Sequence, residues 1–134
     1  MTVKEFPATL EEFPVAQGYF EEEMEKAGVP TKVAMQMSIS FEEIFVNVAH
    51  YAYPEGEGTA TLEMDFTDGT MTFRIIDSGV QFDPLAKPDP DITLSSEERK
   101  IGGLGIYMTK KYMDDISYEY KDNKNILTMV KKFA

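Results

Sequence analysis

Cysteine is absent from this sequence, so disulfide bonds, thiolate metal ligands and a cysteine nucleophile are excluded. Basic residues are scarce, because 13 lysines and arginines stand against 24 acidic residues and leave a net charge of −11. Such a field repels nucleic acids and anionic membranes, and we expect neither as a partner. No apolar run approaches the roughly 20 residues of a membrane-spanning helix, and the first residues lack the pattern of a signal peptide. We therefore expect a cytoplasmic protein.

The composition is that of one globular domain over residues 1–134, with 43% hydrophobic and 28% charged residues. Hydrophobic periodicity predicts the order β-α-α-β-β-loop-α-β-β. The expected strands span 2–9, 59–66, 70–76, 116–120 and 126–132, and the expected helices span 10–26, 31–53 and about 103–113. This order predicts an α+β fold, a two-layer sandwich with helices packed on one face of a mixed, mainly antiparallel sheet.

A first candidate motif lies on the second helix, where residues 42–47 read EEIFVN. Glu43 and Asn47 are four residues apart and share a helix face, whereas Glu42 points roughly 100° away from Glu43. A carboxylate and an amide oxygen at the edge of an apolar stripe suit a hard cation and a general base. A solvated Glu-Asn pair is the structural alternative for this motif alone.

A second candidate motif directly follows an apolar strand, where residues 77–84 read DSGVQFDP. Asp77 at a strand end can accept a hydrogen bond from an exocyclic amine such as that of adenine. Gly79 lets the backbone approach a flat ring, because it has no Cβ. The same residue types also form plain turns, which is the alternative here.

A third candidate motif reads GGLGIY over residues 102–107 and leads into the third helix. Glycines before a helix expose N–H groups and the positive end of the helix dipole, which suits a phosphate. The pattern matches neither the Walker A loop nor the Rossmann fingerprint. Alone, it is equally compatible with a flexible hinge.

In their order and spacing the three motifs together resemble the N box and the two glycine boxes of the GHKL ATPase superfamily, which has the Bergerat fold. Within it, they are similar to the anti-sigma factor serine/threonine-protein kinases of RsbW type. The resemblance runs from the second helix almost to the end of the chain and includes MDD at residues 113–115. One departure is Tyr51, where many relatives have histidine; His50 precedes it and is expected to be a surface or packing residue.

The resemblance implies ATP and Mg²⁺ as cofactors. Asp77 would contact adenine with Gly79 beneath the ring, Asn47 would ligate Mg²⁺, and Glu43 would be the catalytic base. Cations for the phosphates would come from the segment 85–100, with the choice among its three basic residues left open. The expected catalytic residues are thus Glu43 and Arg99, and the expected nucleotide-binding residues are Asn47, Asp77, Gly79, Phe82, Lys100, Gly102, Gly103, Leu104 and Gly105, with Lys87 as a third candidate cation.

By resemblance, the function would be phosphorylation of a small anti-sigma factor antagonist protein, in a partner-switching system that can also sequester a sigma factor. A homodimer is left open. One alternative is a non-catalytic module whose bound nucleotide tunes affinity for a partner protein. Another is the catalytic domain of a histidine kinase, which we consider weaker because few residues precede the first strand.

Overall fold

The computed structural model describes residues 1–86 and 103–134, which form three helices and five strands. In chain order these are β1 (Thr2–Pro7), α1 (Phe13–Lys26), α2 (Thr31–Tyr51), β2 (Thr59–Thr67), β3 (Thr70–Asp77), α3 (Gly103–Tyr112), β4 (Asp115–Lys121) and β5 (Lys124–Lys132). The predicted order of elements is confirmed. None of the described helices is both long and apolar enough to cross a membrane.

The strands form one sheet in the order β1-β2-β3-β5-β4, and all four pairings are antiparallel. The expected α+β sandwich with a mainly antiparallel sheet is confirmed, although no parallel pair occurs in the part of the chain that the structure describes. Two hairpins account for two of these pairings, β2 with β3 and β4 with β5. Asp68 and Gly69 (φ 53° and 72°), like Asp122 and Asn123 (φ 54° and 62°), have the positive φ angles of tight two-residue turns between antiparallel strands.

Alternation along the strands places the helices on one face of the sheet. In β2, β3 and β5 every second residue is buried, and the residues between them are more exposed. The buried face packs against the apolar stripe that the sequence predicts on α2, where Met37, Phe41, Ile44 and Phe45 are buried. The core is therefore the layer between the helices and this face.

Three phenylalanines in ring contact join the helices to the sheet at the centre of the core. The ring of Phe20 in α1 stacks on that of Phe41 in α2, with centroids 4.5 Å apart. Its edge meets the ring of Phe73 in β3, with centroids 5.0 Å apart. Offset stacks and edge-to-face pairs are the favourable arrangements of aromatic rings, and all three side chains are almost fully buried.

The edge strand β1 carries an exposed charge, Lys4, on the face of the sheet that the helices cover. Lys4 lies opposite Leu62 of β2, and its Nζ lies over the rings of Tyr19 and Phe6, at 5.0 and 5.7 Å from their centroids. An inward-facing charge and Pro7 at the end of the strand both discourage further strand pairing at this edge.

Truncation of Phe41, at the centre of these ring contacts, tests the assignment of the core. We expect Phe41→Ala to lower the free energy of unfolding by about 3–5 kcal/mol, because it removes the ring contacts with Phe13, Phe20 and Phe45 and leaves a cavity. The matched control is Ile39→Ala on the same helix, where the side chain is 51% exposed; it should change stability by no more than about 0.5 kcal/mol. Urea denaturation measures both, and equal losses would contradict the assigned core.

Candidate functional site

The apolar inner face of the sheet ends in two polar residues. In β3 the inward series Met71, Phe73, Ile75 continues to Asp77, and the neighbouring β5 places Asn125 directly opposite Asp77. Both side chains are 7% exposed, although most of their neighbours on this face are hydrophobic. Buried polar groups are costly unless they are hydrogen-bonded, so this pair marks a functional or organising position.

Asn125 connects four groups around this position. Its Nδ2 donates to Asp77 Oδ1 and to the Val80 carbonyl, each at 2.9 Å. Its Oδ1 accepts from the Phe82 backbone N–H at 3.0 Å and from the Tyr118 hydroxyl at 2.5 Å. The amide thus holds the end of β3, the following loop and β4 together.

Asn125 was not among the residues that the sequence motifs predicted for the site. Its strand begins at Lys124, two residues earlier than expected, so Asn125 lies within β5. The available signal was the alternation of Asn125 with Leu127 and Met129, which puts the asparagine on the buried face of the strand. A polar residue at such a position indicates a site or a network.

A small cavity of about 50 Å³ opens beside the Asp77–Asn125 pair. Its walls are mostly apolar with a few polar groups, as in small-molecule sites. The structure brings together three of the predicted site residues in its wall, namely Asn47, Asp77 and Phe82. The remaining lining residues are Ile44, Val48, Tyr51, Ala52, Ile75, Val80, Pro84, Tyr118, Asn125 and Leu127.

Asp77 has one oxygen engaged and one available. Its Oδ1 accepts from the Gly79 N–H at 2.9 Å as well as from Asn125 Nδ2. Its Oδ2 makes no hydrogen bond to another residue in the described ranges. A carboxylate arranged in this way can accept a hydrogen bond from a ligand in the cavity.

Gly79 lies against the end of α2, which adds a structural reason for glycine to the predicted one. A Cβ at this position would be 2.1 Å from the Ala52 carbonyl oxygen and 2.5 Å from the Ala52 Cβ. The next residue, Val80, donates its N–H to the same carbonyl at 2.9 Å. Gly79 lines a shallower groove beside the cavity, where Tyr53, Glu55 and Ser78 also lie, and is not in the cavity wall described above.

Glu43 is half-buried on α2, and one oxygen of its carboxylate has no protein partner. Glu43 Oε1 is buried without a hydrogen bond to any residue in the described ranges. Burial raises the pKa of Glu43, the hydrogen bond to the Asn47 side chain lowers it, and the charge of Glu42 raises it, with a net upward shift. Glu42 itself is exposed, as the helical phasing predicts. An unpartnered carboxylate oxygen with a raised pKa is a candidate proton acceptor.

The start of α3 packs onto this carboxylate. A Cβ on Gly105 would lie 2.2 Å from Glu43 Cδ, so glycine is what permits α3 to approach α2 here. Gly103 and Leu104 are in the first turn of the helix, whose free backbone N–H groups favour an anion. The predicted residues Lys87, Arg99, Lys100 and Gly102 lie outside the described residues.

Mg²⁺ fits the oxygen donors that this site presents. Asn47 contributes an amide oxygen, and the unpartnered Glu43 Oε1 lies one helical turn away. Mg²⁺ prefers oxygen ligands and keeps several waters, so few protein ligands are needed. The described residues contain no group of three or more acidic or histidine side chains that could hold a metal by themselves.

The family model for the histidine kinase-like ATPase domain matches residues 6–131. The chain belongs to this family. The resemblance that the three motifs indicate is thereby confirmed, since the matched range contains all of them. His50 is exposed at the end of α2, as expected for that residue.

Several curated ATPase-domain relatives are similar to most of the chain. The serine/threonine-protein kinase BtrW of Bordetella bronchiseptica is 24% identical over 104 residues, which cover 77% of this chain and 73% of BtrW. The serine-protein kinase RsbW of Listeria monocytogenes is 24% identical over 107 residues, which cover 76% of this chain and 68% of RsbW. The anti-sigma F factor of Clostridium acetobutylicum is 25% identical over 101 residues, which cover 75% of this chain and 69% of that protein.

A solved structure has the same fold. The structure of the RsbU and RsbW domains of Rv1364c from Mycobacterium tuberculosis superposes with a TM-score of 0.64 at 12% identity. The superposition covers 98% of this chain and 32% of that longer chain. At this identity the likeness supports the fold of the ATPase domain.

The contact between Gly79 and α2 generates a test with an internal control. We expect Gly79→Ala to lower the free energy of unfolding by about 1–3 kcal/mol, because the added methyl overlaps backbone atoms that cannot rotate away. Gly18→Ala in α1 is the control, since a Cβ there meets nothing within 4 Å; it should stabilise the protein by about 0.5–1 kcal/mol. Urea denaturation compares them, and a neutral Gly79→Ala would contradict the packing described.

Proposed function

We propose that this protein is an ATP-dependent serine/threonine-protein kinase and anti-sigma regulatory factor, with residues 1–134 forming one domain that acts in the cytoplasm. Its substrate would be a small antagonist protein in a bacterial partner-switching system. The observation that carries the proposal is the unpartnered, buried Glu43 Oε1 beside Asn47, because a site that only holds nucleotide has no need of a proton acceptor there. The names of the curated relatives support the same class of activity.

ATP would bind with its base in the apolar cavity and its phosphates toward α3. The free oxygen of Asp77 would accept a hydrogen bond from the amino group of adenine, and Phe82 would contribute to the wall. The helix N-terminus at Gly103 to Gly105 would donate backbone N–H groups to the phosphates. Ala52 lines the cavity, and Glu43 lies nine residues before it in the chain. At the rise of an α-helix this separation is about 13.5 Å.

In the transfer step, the hydroxyl oxygen of a partner serine or threonine attacks the γ-phosphorus of ATP. Glu43 takes the hydroxyl proton, a phosphorus–oxygen bond forms to the partner, the bond to the β-phosphate oxygen breaks, and ADP leaves. The raised pKa of Glu43 makes it a stronger base than a solvated glutamate. Asn47 would hold Mg²⁺, which supplies charge neutralisation for the phosphates when bound. Arg99 or Lys100 would offset charge on the γ-phosphoryl group.

The partner would be recognised as a protein rather than as a nucleic acid or a membrane, given the net charge of −11. The names of two relatives at 24% and 25% identity, serine-protein kinase RsbW and anti-sigma F factor, support a protein substrate and a sigma factor as the two candidate partners. The protein substrate would be the antagonist protein. Assembly as a homodimer stays a prediction.

The second candidate function is a nucleotide-gated binding module without transfer. Both functions require the cavity, Asp77 and Asn47, and they differ at Glu43. In the binding module a neutral side chain at position 43 would serve equally well, because no proton has to move. Substitution of this one residue therefore separates them.

The experiment compares two neighbouring glutamates with γ-labelled ATP and candidate antagonist proteins encoded by adjacent genes. We expect Glu43→Gln to lower the rate of phosphoryl transfer by roughly 100-fold or more, because it removes the proton acceptor and keeps the shape. Glu42→Gln is the matched control; it should leave the rate within about twofold, because an exposed charge there contributes little.

Calorimetry with ATP accompanies the transfer assay, and both variants should retain nucleotide affinity. Transfer by Glu43→Gln at the rate of the unchanged protein would show that Glu43 is not the base. Equal losses in the two variants would show that the helical phasing does not select the active carboxylate.

A further inference from the structure

Asn125 uses every hydrogen-bonding position of its side chain inside the protein. The two hydrogens of Nδ2 go to Asp77 Oδ1 and to the Val80 carbonyl, and Oδ1 accepts from Phe82 N–H and Tyr118 Oη–H. An asparagine amide has two donor hydrogens and two acceptor lone pairs, so this set is complete. No capacity remains on Asn125 for a ligand.

The orientation of this amide is determined by its partners. If the amide were turned by 180°, its NH₂ group would face the Phe82 N–H, which can only donate. Its oxygen would then face the Val80 carbonyl and the Asp77 carboxylate, which can only accept. The partners thus permit one orientation, and the nitrogen always faces Asp77.

The two carboxylate oxygens of Asp77 therefore have different roles. Oδ1 receives two hydrogen bonds, from Asn125 Nδ2 and from Gly79 N–H, both at 2.9 Å. Two bonds at one oxygen fix the rotation of the carboxylate and leave Oδ2 to accept from the cavity. A carboxylate accepts but does not donate, so Oδ2 selects a purine with an amino group and disfavours one with a keto oxygen in the same place.

We propose that Asn125 is a positioning residue that determines nucleotide-base selectivity by holding Asp77 in the orientation that recognises a 6-amino purine. This inference rests on the nucleotide site of the proposed function. Asn125 acts through Asp77 and makes no hydrogen bond to the base. It also holds Val80 and Phe82, which line the cavity, and so links the selective carboxylate to the wall that receives the ring.

The test measures the dissociation constants of ATP and of inosine triphosphate, which has a keto oxygen in place of the 6-amino group. We expect the unchanged protein to prefer ATP by roughly tenfold or more, the value of one hydrogen bond to a charged group. Asn125→Leu has similar volume and no donors, and it should reduce this ratio to within about threefold of unity. Asn125→Ala is the second variant in case the leucine variant does not fold.

Two further measurements show whether Asn125 acts by positioning Asp77 or only by stabilising the fold. Thr128→Leu makes a similar polar-to-apolar change in the same strand on the outward face, and it should keep the selectivity ratio of the unchanged protein. In an Asp77→Ala background, addition of Asn125→Leu should leave the ratio unchanged, because the residue through which Asn125 acts is gone. Circular dichroism checks that each variant is folded.

Three outcomes separate failure of the positioning role of Asn125 from failure of the proposed nucleotide site. An equal loss of ATP and inosine triphosphate affinity in the Asn125 variants, with the ratio preserved, would overturn the positioning role while leaving the nucleotide site intact. A further change of ratio in the Asp77→Ala background would overturn the route through Asp77. Absence of binding of either nucleotide to the unchanged protein would overturn the proposed function itself, and the inference with it.

Discussion

The hydrogen bond between Asp77 and Asn125 is the interaction on which the site depends. It lies at the end of an otherwise apolar face, where each side chain is 7% exposed and each polar atom would be costly without a partner. The pair therefore forms only if β3 and β5 align as they do, with Asp77 opposite Asn125. A shift of one residue in that register would turn one of the two side chains to the outer face.

Packing of the core supplies this register. Phe73 and Met129 are paired in the same two strands and are fully buried, so the apolar face determines which residues oppose each other. The same core holds α2, and α2 presents both Asn47 at the cavity and Glu43 beside α3. Site geometry is thus a consequence of packing that extends across the domain, and the glycines at 79 and 105 allow the closest approaches within it.

Local sequence rules predicted much of the fold and part of the site. The strands and helices follow from periodicity, and the turn at Asp68-Gly69 follows from residues that tolerate positive φ. The phasing of Glu43 with Asn47 follows from helix geometry. The role of Asn125 does not follow from any local rule, because it requires the β3–β5 pairing between residues 48 positions apart. The contact of Gly79 with Ala52 is likewise tertiary, and the motif alone suggested only a ligand.

The most direct measurement of the central claim is a two-dimensional ¹H–¹⁵N spectrum of the labelled protein during titration with ADP. We expect the largest shifts at the backbone of residues 77–82 and at the side-chain NH₂ groups of Asn125 and Asn47, because these surround the cavity. Gly18, which is exposed on α1, should not shift. Shifts confined to the groove at residues 53–57, or no shifts at saturating ADP, would contradict the assignment of this cavity as the nucleotide site.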